Sequence, residues 1–170
     1  MIYDVCTDDS GITVLEEFIE GKRLLDILSS KPLDKKIACN YVSQICDALT
    51  FLHSTGIIHR DIKPSNVIIK DDGTVVLIDL SIARFINEQE IDTQDLGTPG
   101  FAAPEQFGIS QSNKTTDIYG LGVLLNIMLT GSHPSIDLPK GRLKKVVEKA
   151  TSTQISKRYK DAEKLKKALK

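Results

Sequence analysis

Two short polar stretches hold the residues best suited to chemistry. Residues 59–66 read His59-Arg60-Asp61-Ile62-Lys63-Pro64-Ser65-Asn66, and Ile78-Asp79 closes the apolar run that follows. Between them, Val67-Ile68-Ile69, Asp72-Gly73 and Val75-Val76-Leu77-Ile78 spell a hairpin with an Asp-Gly turn. Two carboxylates and an amide are thereby held on either side of one tight hairpin, with a lysine between them. Oxygen donors such as Asn66 and Asp79 suit Mg²⁺, which takes a few protein oxygens plus substrate phosphates. A free carboxylate at Asp61 can accept a hydroxyl proton, and Lys63 can neutralise charge on a transferred phosphoryl group. Each residue also has a plainer reading, since Asn66 can close an Asx turn and an Asp after a strand is often a turn former.

The elements that must position these groups follow from periodicity. Residues 12–19 read as a short strand ending at a turn marked by Gly21, and a short helix is expected at about 24–28. After Pro32, Leu33, Ile37, Tyr41, Ile45, Leu49 and Leu52 recur at helical spacing, and Thr55-Gly56 supplies the stop. Residues 79–107 lack sustained periodicity, which in a compact domain usually marks a functional segment. Residues 116–129 are apolar almost all round, as in a helix buried mid-domain. Leu143, Val146, Val147 and Ala150 give one further amphipathic helix, and Ala162, Leu165, Ala168 and Leu169 the last. The outline is mostly helical, with one hairpin displaying a polar loop at each end.

Composition narrows the class. The 170 residues are enough for one domain, and 41% hydrophobic with 26% charged residues is the balance of a globular protein with a real core. The net charge of −1 excludes nucleic-acid binding by bulk electrostatics but hides an asymmetry. Residues 140–170 contain 12 basic and 3 acidic side chains, whereas residues 1–139 contain 10 basic and 20 acidic. Anionic lipid or RNA could meet such a tail, but lysine-clad amphipathic helices account for it more simply. Cys6, Cys39 and Cys46 show neither a disulfide framework nor zinc-ligand spacing, which fits a reducing, cytoplasmic setting. The longest apolar run is too short to span a bilayer, and Met1 leads into Tyr3-Asp4 with no leader-like pattern. His53 and His133 carry no motif and are expected to be partly exposed structural residues.

Residues 59–66 match the catalytic loop H-R-D-x-x-x-x-N of eukaryotic-like protein kinases. Other marks follow in order. Asp79-Leu80-Ser81 stands where that family has Asp-Phe-Gly, and Ala103-Pro104-Glu105 where it has Ala-Pro-Glu. Asp117-Ile118-Tyr119-Gly120-Leu121-Gly122 resembles the start of the family's central buried helix, and Arg158-Tyr159 the late arginine that pairs with the glutamate of Ala-Pro-Glu. Residues 17–21 are similar to the hinge. Lys63-Pro64 and Gly97-Thr98-Pro99 resemble the serine/threonine class, and Glu105-Gln106-Phe107 resembles bacterial members.

The resemblance covers essentially the whole chain and implies an α+β, mainly α-helical domain equivalent to the C-terminal lobe of a serine/threonine kinase. The hinge strand would lie at 12–21, the catalytic loop at 59–66, carried by the short β-hairpin, and the activation segment at 79–105. By similarity Asp61 and Lys63 are catalytic, and Asn66 and Asp79 hold the Mg²⁺ that bridges the ATP phosphates. The backbone of Glu17 and Ile19 would meet the adenine edge, with Ile68 as its floor. Thr98 would contact Asp61 and Lys63, while Arg60 would pair with a phosphorylated residue, for which Thr93 is the best-placed acceptor. Glu105, Asp117 and Arg158 are structural. The implied reaction is phosphoryl transfer from ATP to Ser or Thr hydroxyls of a protein substrate.

Several features depart from the family pattern. No G-x-G-x-x-G and no lysine strand occur among the 170 residues, so the small N-terminal lobe is read as absent and the isolated chain is expected to turn over weakly or not at all. Ser81 replaces a flexible glycine, Glu16 is an unusual charge at what resembles the gatekeeper position, and 131–143 is short. The alternative function is a non-catalytic kinase-like interaction module, disfavoured by the intact Asp61, Asn66 and Asp79. A small-molecule phosphotransferase shares the Asp-to-Asn spacing but not the Ala-Pro-Glu segment.

Overall fold

The computed structural model describes residues 2–8, 11–86, 97–107 and 111–170. Its elements run β1 (Ile2–Asp8), β2 (Gly11–Glu16), β3 (Lys22–Arg23), α1 (Leu24–Leu28), α2 (Lys35–Ser54), β4 (Ile57–Ile58), β5 (Val67–Ile69), β6 (Val75–Leu77), β7 (Arg84–Phe85), α3 (Lys114–Thr130), α4 (Arg142–Ala150) and α5 (Ala162–Ala168). The fold is mixed α+β. The strands form three small sheets, β1-β2, β3-β5-β6 and β4-β7. No helix among the described residues is long and apolar enough to cross a membrane.

Helix α2 begins where Asp34 accepts the backbone N–H of Lys36 at 2.7 Å, filling a donor the first turn leaves open. Its buried stripe is Ala38, Val42, Ile45, Cys46, Leu49 and His53. This is turned from the stripe the periodicity suggests: Ile37 is exposed, and Tyr41 and Leu52 are only half-buried. The small Ala38 and Cys46 face inward, which favours close packing against neighbouring helices. Burial pushes the Cys46 thiol up to about 12, so it behaves as a small apolar group.

Helix α3 is sealed at both ends. Asn113 and Thr116 form a reciprocal capping box, and Gly131 ends the helix in the left-handed conformation at φ 73°. Leu121, Val123, Leu124, Leu125 and Met128 are all buried, so α3 is enclosed on every side and packs directly against α2 and α4. Two glycines permit this. A Cβ at Gly120 would lie 3.1 Å from Ile62 Cβ, and one at Gly122 would lie 2.6 Å from Ala150 Cβ.

The hairpin β5-β6 has the expected register, with Val67 opposite Leu77 and Ile69 opposite Val75. Val67 and Ile69 enter the core, whereas Ile68 sits half-buried between them. Strand β3 runs flush along β5, since a Cβ at Gly21 would meet Ile69 O at 2.6 Å. The strand read at residues 12–19 is shorter, ending at Glu16, and pairs with β1, whose presence periodicity did not reveal. Tyr3, Val5, Ile12, Val14 and Leu15 of this hairpin are exposed. Within the unpatterned stretch that starts at Asp79, β7 pairs with β4 and a 3₁₀ turn forms at Pro104–Phe107.

Gly122→Ala tests the α3-α4 contact. Alanine gains about 1 kcal/mol of helix propensity, but its Cβ meets one fixed directly to the α4 backbone. We expect a net loss of about 1–3 kcal/mol, read as a lower urea midpoint; a midpoint equal to or above that of the parent chain would show that α4 moves aside freely.

Candidate active site

The chain leaves β4 and enters residues 59–66 through a bend that a buried carboxylate fixes. Asp117, in the first turn of α3, accepts the backbone N–H of His59 at 3.0 Å and of Arg60 at 2.7 Å. Arg60 is left-handed at φ 70°, a conformation rare for a residue with a side chain. These two hydrogen bonds to a charged acceptor, each worth about 1.5–3 kcal/mol, offset that strain. The same carboxylate receives His53 Nε2 at 2.8 Å from the end of α2. His53 is therefore buried, contrary to the expected partial exposure, because it closes the gap between α2 and α3.

Asp61 stands at the centre of the cluster. Its Oδ1 accepts the Thr98 hydroxyl at 2.7 Å, and its Oδ2 accepts Lys63 Nζ at 2.6 Å and Asn66 Nδ2 at 2.9 Å. Lys63 Nζ also donates to Thr98 Oγ1 at 2.8 Å, which closes a triangle. A carboxylate has about four lone-pair positions. Three are filled among the described residues, which leaves one on Oδ1.

Across the end of the hairpin, Ile78 N donates to Asn66 O at 2.9 Å, so Asp79 emerges beside Asn66. Asp79 is also left-handed at φ 70°, and its Oδ1 accepts Ser81 N at 3.1 Å. The hydrogen bonds from Ser81 hold its carboxyl below the ordinary value, so it is a charged, exposed oxygen donor at neutral pH. Asn66 keeps its Oδ1 toward the weak Ser65 hydroxyl contact at 3.3 Å, available for a stronger partner. Two oxygen donors of this kind fit Mg²⁺, which completes its shell with waters and phosphate oxygens.

His59 supports the loop from beneath. Its Nδ1 accepts Asp61 N at 3.3 Å, which leaves Nε2 to donate to Ile78 O at 3.2 Å. Both loops of the hairpin thus rest on one neutral ring. Burial holds its imidazole below the ordinary value, against the pull of Asp117 and the Ile78 carbonyl.

The segment bearing Thr98 is braced separately. Gln106 Oε1 accepts Ala103 N at 3.0 Å, and Gln106 Nε2 donates to Arg60 O at 2.9 Å. Glu105 is gripped by Arg158 through two bonds, NH1 to Oε1 at 2.6 Å and NH2 to Oε2 at 2.8 Å, and by Thr116 at 2.9 Å. Burial pushes the Glu105 carboxyl upward, but the bonds from Arg158 more than offset it, leaving it below the ordinary value. Arg158 also donates to Ser152 O and Thr115 O and lies 4.9 Å from the centre of the Tyr119 ring.

Of the residues singled out from sequence, Asp61, Lys63, Asn66 and Thr98 come together directly, and Asp79 adjoins them. Glu17 is exposed and Ile19 half-buried, on the stretch leading to β3 and so to Ile68. Thr93 lies outside the described residues. Arg84, opposite Ile58 in the β4-β7 pair, is a buried arginine that the motif reading did not single out. The structural roles of His53, Gln106 and Thr116 were likewise missed; only their tertiary partners reveal them.

A family model for the protein kinase domain matches residues 1–170. A probable serine/threonine-protein kinase of Clostridium acetobutylicum is 35% identical over 136 residues, covering 78% of this chain and 21% of that protein. Serine/threonine-protein kinase PrkC of Bacillus subtilis is 35% identical over 136 residues, with 78% and 21% covered. The probable serine/threonine-protein kinase PknB of Lactococcus lactis is 32% identical over 191 residues, with 96% and 30% covered. The chain spans between about a fifth and a third of the length of these relatives.

Two expectations follow from this geometry. Removing one member of the buried ion pair, as in Arg158→Met, should lower the unfolding free energy by about 3–5 kcal/mol. Combining it with Glu105→Gln should recover part of that loss in denaturant titrations; a double variant no better than R158M would contradict a stranded charge as the cause. The second concerns pH. The folded chain binds fewer protons at His59 than the unfolded chain does below about pH 6.5. Stability that is full above that value should fall as pH falls through it, and urea midpoints between about pH 7.5 and 5.5 should decline less in His59→Asn. Equal declines in the two proteins would remove His59 as the source.

Proposed function

The chain belongs to the protein kinase domain family, and on that premise we propose that it forms the larger, helical lobe of a protein that transfers phosphate from ATP to Ser or Thr hydroxyls of protein substrates. The observation that carries this reading is the Asp61 carboxylate, held by Lys63, Thr98 and Asn66 with one acceptor position open. In this role Asp61 aligns the substrate hydroxyl and takes its proton as the oxygen attacks. Lys63, already 2.6 Å from Asp61, offsets negative charge developing nearby. Asn66 Oδ1 and the Asp79 carboxylate are the groups that would hold Mg²⁺, which supplies charge neutralisation on the ATP phosphates.

Residues 12–21 serve as the hinge in this reading, with the backbone of Glu17 and Ile19 toward the adenine edge and Ile68 beneath the ring. Residues 59–66 are the catalytic loop and 79–105 the activation segment, where a phosphate on Thr93 would pair with Arg60. A smaller lobe, carrying a Gly-rich loop and a lysine strand, is the partner that completes the nucleotide clamp. Exposed Val5, Ile12, Val14 and Phe18 support an apolar partner on that side. Cys39 and Cys46, free and shielded, suit a reducing cytoplasmic location.

The test is radiolabelled phosphate transfer from ATP to a Ser/Thr peptide mixture by the protein that contains this stretch. Asp61→Asn should lower kcat by about 10²–10⁴-fold with little change in folding, and Asp79→Asn should raise the Mg²⁺ requirement. Residues 1–170 alone should transfer weakly or not at all. Undiminished transfer in the Asp61→Asn protein would rule out the assigned base.

A further inference from the structure

The basic excess of residues 140–170 is not spread over one solvated helix face. Lys149 from α4, Lys157 from the 3₁₀ turn Ile155–Lys157, Lys160 from the following link and Lys164 from α5 line one hollow of about 440 Å³. All four are exposed, and no carboxylate shares the lining among the described residues. The acidic side chains nearby are already engaged. Glu148 faces Lys144 and Glu163 faces Lys167, while Asp161 accepts Lys164 N at 2.7 Å as the cap of α5. None of the four ammonium groups has an ion-pair partner among the described residues, so four like charges surround one concavity and favour an anionic occupant.

We propose that this hollow is a docking site for an acidic peptide segment, rich in Asp or Glu, on a protein partner. Several features select that occupant. A bidentate clamp on one compact phosphate group calls for a free guanidinium fork, whereas lysines act as separate point charges. The one arginine in the lining, Arg158, spends both ends of its fork on Glu105, which leaves only lysine point charges suited to several separated carboxylates. Single-stranded nucleic acid needs open aromatic faces, but the Tyr159 ring packs on the core and has Lys149 Nζ 4.6 Å from its centre. A membrane surface calls for exposed apolar side chains around the charges, and the lining holds four lysines, Ser156, the buried Arg158 and the half-buried Tyr159, with no Leu, Ile, Val, Met or Phe among them. The site is separate from the Asp61 cluster, to which none of these four lysines belongs. Its wall nevertheless includes Arg158, so an occupied hollow borders the residue that anchors Glu105.

Fluorescence anisotropy of a labelled hexaglutamate peptide titrated with the 170-residue chain tests the proposal. Saturable binding is expected, with no binding of a matched hexaglutamine peptide and marked weakening between about 50 and 300 mM NaCl. Combining Lys157→Glu with Lys160→Glu should weaken binding by about tenfold or more, whereas K31E combined with K36E, the same charge change at exposed lysines elsewhere, should leave it within about twofold. Circular dichroism of both variants checks that each is folded. Absence of hexaglutamate binding, or equal weakening by the two double variants, overturns the proposal. So does tighter binding of a phosphoserine peptide, a single-stranded oligonucleotide or phosphatidylserine vesicles than of hexaglutamate.

Discussion

The Asp117 carboxylate is the point on which the arrangement of the site depends. One buried group, at the start of the most enclosed helix, receives a ring nitrogen from α2 and two backbone N–H groups from the loop that carries Asp61. A buried carboxylate is costly unless its lone pairs are filled, and here filling them obliges the loop to bend at Arg60. The requirement to solvate a charge without water thus becomes a positional constraint. Asp61 is where it is because the two preceding amides have nowhere better to go.

A second constraint acts on the opposite wall. The grip of Arg158 on Glu105 fixes the 3₁₀ turn after Ala103, and Gln106 ties that turn back to the carbonyl of Arg60. Thr98, a few residues earlier, is thereby held close enough to bond both Asp61 and Lys63. A substitution at Arg158 would reach the site through packing without touching it. The hairpin β5-β6 supplies the third side, bringing Asn66 and Asp79 together by its register.

The residues assigned to the proposed chemistry stood out in the sequence because such chemistry would restrict both type and spacing: Asp61, Lys63, Asn66 and Asp79 have few substitutes in the proposed roles of proton acceptor, cation and oxygen ligands. The long helices were legible through their periodicity and stops, although the buried stripe of α2 is set by what packs on it and so lies differently from the one Ile37 suggests. Two-residue strands such as β4 and β7 have too little length to show a period. His53 looked bland because nothing local identifies its partner, which lies 64 positions along the chain. Gln106 and Thr116 are hidden for the same reason, and the convergence of Lys149, Lys157, Lys160 and Lys164 is invisible until three elements are brought together.

The bonds that shape the loop at residues 59–61 join positions 57 and 58 apart in sequence, and the Glu105–Arg158 pair spans 53. Such contacts form only after long segments of chain have been closed, at an entropic cost that must be met before they reward it. The left-handed residue Arg60 has no local reason to adopt that conformation earlier. Any partly folded form in which α3 has not docked therefore also lacks the site, even if α2 and the hairpin are already in place. Assembly of the Asp61 cluster thus waits on the docking of α3.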